Sequence, residues 1–103
     1  MSDWIAVTAV VDVPAGGWHE VDVNNTSILL ININGEFYAI ENLCTHDGGT
    51  LSDGHIEDYE VVCPRHGAKF CIKTGAVTAP PAYEDIKTFP VKVENGKVWV
   101  KVD

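Results

Sequence analysis

Cys44-Thr45-His46 and Cys63-Pro64-Arg65-His66 are the segments of this 103-residue chain whose residue types and spacing point to chemistry. Sixteen residues separate His46 from Cys63, and glycine follows both segments, as Gly48-Gly49 and as Gly67. Each segment offers one thiolate and one imidazole, so two short loops bring four soft or borderline ligands, the makings of a metal site. A structural zinc finger usually keeps its ligand types apart, with two cysteines at one end and two histidines at the other. Here each pair is mixed. That pattern suits a binuclear iron–sulfur centre in which two imidazoles replace two thiolates on one iron. A zinc-stabilised β module that binds other proteins stays open as the alternative. Cys71 makes the cysteine count odd, and no export signal opens the chain, so a disulfide framework is not expected. Cys71 reads as a small buried apolar residue.

The elements that must hold these loops are strands. Asn34-Gly35 separates Ser27–Ile33 from Glu36–Ile40, and Asn95-Gly96 separates Phe89–Glu94 from Lys97–Val102. Asn-Gly supplies the two positive-φ residues of a type I′ turn, so both segments are predicted hairpins. Val91, Val93, Val98, Val100 and Val102 alternate with Lys92, Glu94, Lys97 and Lys101, the period of a half-buried strand. Ile5–Val10 and Trp18–Val23 are two further strand candidates, joined by the turn Pro14-Ala15-Gly16-Gly17. No stretch carries a sustained helical period with caps. The expected class is all-β, a sandwich or small barrel. Residues 42–82 break the rhythm, being rich in Gly, Pro, Cys and His, and a stretch of that kind needs something besides its own core to hold it. Bound metal would serve.

Composition narrows the function. Apolar residues make up 46% and charged residues 21%, a globular balance in a chain long enough for one domain. The longest aliphatic run, Ile28-Leu29-Leu30-Ile31, is far short of a membrane span. Without an anchor or leader, the expected compartment is the cytoplasm. Seven bases against fifteen acids give a net charge of −8, which excludes nucleic-acid binding by phosphate neutralisation. The six acids of residues 1–43 face no Lys or Arg, so the two halves carry −6 and −2. Such a surface steers the molecule toward a basic patch on a partner.

Cys-x-His, then sixteen residues, then Cys-Pro-x-His-Gly resembles the signature of Rieske-type [2Fe–2S] proteins. The resemblance runs through Lys69-Phe70, Thr74-Gly75 and Pro80-Pro81, over about residues 40–85. The size of the chain and Gly67-Ala68-Lys69-Phe70-Cys71 look like the small ferredoxin components of bacterial aromatic-ring-hydroxylating dioxygenase systems. The resemblance implies an antiparallel Rieske-like β-sandwich over residues 1–103, with a cluster-binding subdomain of loops and short strands over about 42–82. It also implies one [2Fe–2S] cluster, with Cys44 and Cys63 on one iron and His46 and His66 on the other. Members of respiratory complexes carry an extra cysteine in each loop, where this chain has Gly49 and Arg65, so no bracing disulfide forms. Those members also place Ser and Tyr hydroxyls where this chain has Ala68 and Phe70. Losing two donors leaves the reduced cluster less stabilised, so the expected potential lies at the low end of the class, which spans roughly −150 to +300 mV.

The function implied is that of a one-electron carrier, not an enzyme. It would take electrons from a flavin-dependent NAD(P)H reductase and pass them to a terminal oxygenase in aromatic hydrocarbon catabolism. The small subunit of an assimilatory nitrite reductase is the rival redox reading. A Rieske oxygenase needs a second domain with a mononuclear iron on two histidines and a carboxylate. Once His46 and His66 are assigned, only His19 and His55 remain. His55 reads as an exposed loop histidine and His19 as structural. Pro80-Pro81 is expected to stiffen a third loop over the cluster, forming with Leu51 an apolar collar around exposed His46 and His66. Arg65, Lys69 and Lys73 would offset the reduced cluster's charge, meet an acidic patch, or simply be solvated. The chain is expected to act as a monomer, with neither nucleic acid nor membrane as partner.

Overall fold

The run Ile28-Leu29-Leu30-Ile31 has no polar face, and a strand of that composition is stable only with both faces covered. A computed structural model, which describes residues 3–45, 48–52, 54–64 and 67–102, supplies both covers. The strands are β1 (Asp3–Ala9), β2 (Trp18–Val23), β3 (Thr26–Ile33), β4 (Glu36–Glu41), β5 (His55–Glu57) and β6 (Glu60–Val62). There follow β7 (Lys69–Cys71), β8 (Val77–Ala79), β9 (Thr88–Phe89), β10 (Val91–Glu94) and β11 (Lys97–Val102). Every strand pairing is antiparallel, in sheets ordered β1-β11-β10, β2-β3-β4-β9 and β5-β6-β7-β8. The one helical piece among the described residues is a 3-10 turn at Val10–Asp12. No helix among them is long and apolar enough to cross a membrane.

The sheet of β3 lies between two hydrophobic cores. Successive side chains of a strand point to opposite faces, so β3 serves both. Ile28 and Leu30 join Val13, Val23, Ala39, Val98, Val100 and Val102 under the β1-β11-β10 sheet. Leu29 and Ile31 join Ile40, Cys44, Leu51, Val61, Cys63, Ala68, Phe70, Ile72, Ala82 and Ile86 under the β5-β6-β7-β8 sheet. This explains why β3 reads as a continuous apolar run while β11 alternates: β11 has a core on one side only. On the outer face of that sheet the Lys92 ammonium lies over the rings of Trp4 and Trp99, and that of Lys101 over Trp4.

Both Asn-Gly hairpins form as expected, with φ of 54° and 90° at Asn34-Gly35 and 55° and 73° at Asn95-Gly96. A third tight turn of this kind, Asn24-Asn25, joins β2 to β3, with φ of 50° and 66°. It carries no glycine, and asparagine tolerates the left-handed region well enough to do without one. Two expectations need correction. The segment Phe89–Glu94 is two strands, because Pro90 has no N–H for a ladder. Phe89 pairs with Ala39 in one sheet and Val91 with Val100 in another, so the chain changes sheets at the proline. The candidates Ile5–Val10 and Trp18–Val23 also lie in different sheets, β1 against β11 and β2 against β3. The turn at residues 14–17 is a crossing between layers, fastened where Gly16 N–H donates to Asn32 O and Asn32 N–H to Gly17 O.

Because β3 walls both cores, we expect Leu29→Ala and Leu30→Ala each to cost about 2–5 kcal/mol in urea unfolding. A strand with one wet face would show that cost at only one of the two positions.

Candidate metal centre

An irregular loop has few backbone partners of its own, and here three cysteine-bearing loops solve that problem identically. Cys44 N–H donates to Gly49 O at 2.8 Å, and Gly48 N–H donates back to Cys44 O at 2.8 Å. Cys63 N–H donates to Ala68 O at 2.8 Å, and Gly67 N–H to Cys63 O at 3.1 Å. Cys71 N–H donates to Ala76 O at 2.7 Å, and Gly75 N–H to Cys71 O at 2.7 Å. In each case the glycine four residues after the cysteine is left-handed, with φ of 75°, 77° and 80°. A Cβ at Gly48 or Gly67 would meet nothing, so the backbone angle alone demands glycine there. At Gly75 space demands it too, since a Cβ would lie 2.1 Å from Ile86 O.

The turns differ in where they sit. The Cys44 turn follows β4, the Cys63 turn joins β6 to β7, and the Cys71 turn joins β7 to β8. Cys44 and Cys63 are 0% and 1% exposed, and both belong to one apolar core. Cys71 is half-buried, pairs across the ladder with Glu60, and lies outside that core. It sits at the far end of β7 from the Cys63 turn, about 10 Å along the strand at some 3.3 Å per residue. No disulfide joins the three. The Thr74 side chain, and then backbone N–H groups of Thr74 and Lys73, hold the Cys71 thiol below its ordinary pKa against the opposing effect of burial. The expectation that Cys71 is a plain buried apolar residue needs correction: it is only half-buried.

His46, Arg65 and His66 lie outside the described residues. The other two histidines are placed. His55 lies on strand β5 rather than in a loop, and its Nε2 meets Glu57 Oε2 at 2.7 Å in the open. That contact, then the charge of Lys69, keeps the Glu57 carboxyl below its usual range. His19 is an exposed residue of β2. Lys69 is 3.8 Å from Glu57, and Lys73 sits 3.9 Å from the centroid of the Tyr59 ring, so both have local partners.

The segment holding Pro80-Pro81 is fastened to the first cysteine turn. Thr45, between Cys44 and His46, donates its hydroxyl to Glu84 O at 2.6 Å. Asp85 Oδ1 accepts from Val77 N–H, Ile86 N–H donates to Gly75 O, and Ala82 and Ile86 are buried beside the cysteines. Tyr83 between them is 87% exposed. Leu51, expected in a surface collar, is instead core at 1% exposure. The positions Ala68 and Phe70 are both fully buried in the same core, so they bring no hydroxyl to it.

The residues that hold these turns from outside carry little sequence signal. Thr45 and Glu84 are 39 positions apart, and Asn42 is one polar residue after a strand. Asn42 nonetheless makes the densest set of side-chain hydrogen bonds at the site, to Glu20, Ser27, Leu51 and Ser52.

The arrangement has known counterparts. Residues 3–90 match the family model of the Rieske [2Fe–2S] domain. The chain is 42% identical over 101 residues to the ferredoxin component of naphthalene 1,2-dioxygenase/salicylate 5-hydroxylase systems of a Ralstonia species, covering 98% of this chain and 97% of the relative. It is 42% identical over 92 residues to the 3-phenylpropionate/cinnamic acid dioxygenase ferredoxin subunit of Shigella flexneri, covering 88% and 86%. Its structure is similar to the Sphingomonas yanoikuyae B1 ferredoxin, with a TM-score of 0.91, 33% identity and coverage of 98% and 100%. It is also similar to a chain in the complex of reduced oxygenase and oxidized ferredoxin in carbazole 1,9a-dioxygenase, with a TM-score of 0.88, 32% identity and coverage of 94% and 91%. With two matched cysteine turns on one core and these relatives at nearly full length, the chain belongs to the Rieske [2Fe–2S] family.

Proposed function

We propose that this chain is the one-electron carrier of an aromatic-ring dioxygenase system. It takes electrons from a flavin-dependent NAD(P)H reductase and passes them to a terminal oxygenase, working as a monomer in the cytoplasm. The observation that carries this reading is the pair of cysteine turns set on one core, in a chain matched along its length by ferredoxin components. Within residues 1–103 we take about 42–82 as the cluster-binding part.

The ligands in this reading are Cys44 and Cys63 on one iron, His46 and His66 on the other. The donor set supports it. Two buried thiols in dry surroundings, each on a turn that also carries a histidine two or three residues on, fit a cluster of this type. When bound, the cluster accepts and gives up one electron. The chain's own residues hold it and set its surroundings: the glycine turns present the thiols, and Ala68, Phe70 and Leu51 exclude water. With two imidazoles in place of thiolates the potential rises above that of a four-cysteine cluster. With Ala68 and Phe70 in place of hydroxyl donors, it stays low within the Rieske class.

Docking follows from the same end of the molecule. Tyr83 is an exposed aromatic on a segment pinned by Thr45, Val77 and Gly75, beside acidic Glu84 and Asp85. A pre-ordered aromatic of this kind costs little entropy to bury in a partner.

The decisive experiment is reconstitution with a purified reductase and terminal oxygenase of a dioxygenase system. We expect NAD(P)H-dependent product formation that requires this chain. Turnover only with an assimilatory nitrite reductase would favour the rival redox reading, and colourless zinc-containing protein the binding-module reading. In the same assay Tyr83→Ala should raise KM for the ferredoxin several-fold with kcat unchanged. Cys44→Ser and Cys63→Ser should abolish the visible absorption and reduced-state EPR signal, whereas Cys71→Ser should keep both. A redox titration should place the midpoint in the lower part of the range of roughly −150 to +300 mV, and a value near its top would refute the argument from Ala68 and Phe70.

A further inference from the structure

Among the described residues, two polar side chains are buried, Asn32 and Asn42, at 6% and 4% exposure. A buried amide is stable only if its donors and acceptors are met. Both asparagines meet that condition, and they do so toward opposite ends of the β3–β4 ladder.

Asn42 follows β4 directly and stands two residues before Cys44. Its Oδ1 accepts from Leu51 N–H at 2.8 Å and from Ser52 N–H at 3.0 Å. Its Nδ2 donates to Glu20 Oε2 at 2.9 Å and to Ser27 Oγ at 3.2 Å. Its own backbone N–H donates to Ser27 O at 3.0 Å. One side chain thus ties the start of the first cysteine loop to its end, and the amide's other edge ties both to β2 and β3. Few side chains fit: the site needs an acceptor edge for two N–H groups and a donor edge for a carboxylate. Asn32 serves elsewhere. Its Nδ2 donates to Val13 O at 2.8 Å and its Oδ1 accepts from Gly35 N–H at 2.8 Å, closing turns away from the cysteines.

We propose that Asn42 is a positioning residue of the cluster site: by closing the loop that carries Cys44 and His46 onto Leu51 and Ser52, it governs how firmly the chain retains iron. The inference rests on the ligand assignment above. A loop end left unclamped opens locally at far lower cost than global unfolding, and each opening admits water and chelator to the iron. Asn42 acts on retention through that opening. Asn32 does not.

The test uses purified holoprotein variants and follows bleaching of the visible absorption by excess chelator, alongside urea unfolding and the EPR spectrum of the reduced protein. Asn42→Ala should bleach about tenfold faster than wild type, the loss of one well-made buried hydrogen-bond set, with a broadened EPR signal. Asn32→Ala should lower the urea midpoint but bleach at the wild-type rate. Asn42→Asp combined with Glu20→Gln reverses the direction of the Asn42–Glu20 hydrogen bond while keeping the acceptor for Leu51 and Ser52. This double variant should bleach within about twofold of wild type, and it serves if Asn42→Ala does not fold. The proposal is overturned if folded Asn42→Ala bleaches like wild type, if Asn32→Ala accelerates bleaching equally, or if the double variant bleaches tenfold faster. Wild-type protein that carries no iron would instead defeat the ligand assignment itself.

Discussion

One strand with no wet face, β3, constrains everything else in this molecule. Leu29 and Ile31 commit one side of the central sheet to the cysteine core, and Ile28 and Leu30 commit the other to the β1-β11-β10 sheet. Neither core is large, and a 103-residue chain has little surface to bury. Sharing a wall lets each core use the same strand. The site therefore does not rest on a floppy appendage: its floor is a strand with no exposed residue, and shifts of β3 would be felt in both layers at once.

Above that floor, order comes from a single turn used three times. A left-handed glycine bends the chain so that the cysteine carbonyl and amide are both met within six residues. The third copy, at Cys71, has Thr74 where the Cys63 turn has His66, and it lies at the opposite end of β7. The turn is thus a general device for ending a short hairpin. Chemistry enters through the histidine and through which end of the sheet the turn occupies.

This division explains what was legible beforehand. The mixed Cys/His pairs, the Asn-Gly hairpins and the alternation along β11 are local patterns, and local sterics or period decide them. The all-β class follows from them. The splitting of Phe89–Glu94 was also written locally, in the missing N–H of Pro90, yet the period of the valines outweighed it. The Asn24-Asn25 turn lacks the glycine that marks the other two hairpins, so its local pattern is weak. Strands β5 to β8 are three residues each, too short for a period to stand out, and they read as irregular chain. Leu51, expected in an apolar collar with the Pro80-Pro81 loop, is an isolated apolar residue in an irregular stretch, and only the fold turns it inward. Asn42 and the Thr45–Glu84 bond depend on chain segments far apart in sequence, and no window on the sequence contains them.

The fastening of residues 80–86 has a kinetic consequence. Three hydrogen bonds hold the segment around Tyr83, so on the docking proposed above little rearrangement stands between encounter and a productive pose. One outward ring, followed in sequence by Glu84 and Asp85, also gives a small adhesive area. Swift arrival and brief residence are what a shuttle needs, since a molecule that clung to either neighbour would spend its time parked rather than in transit.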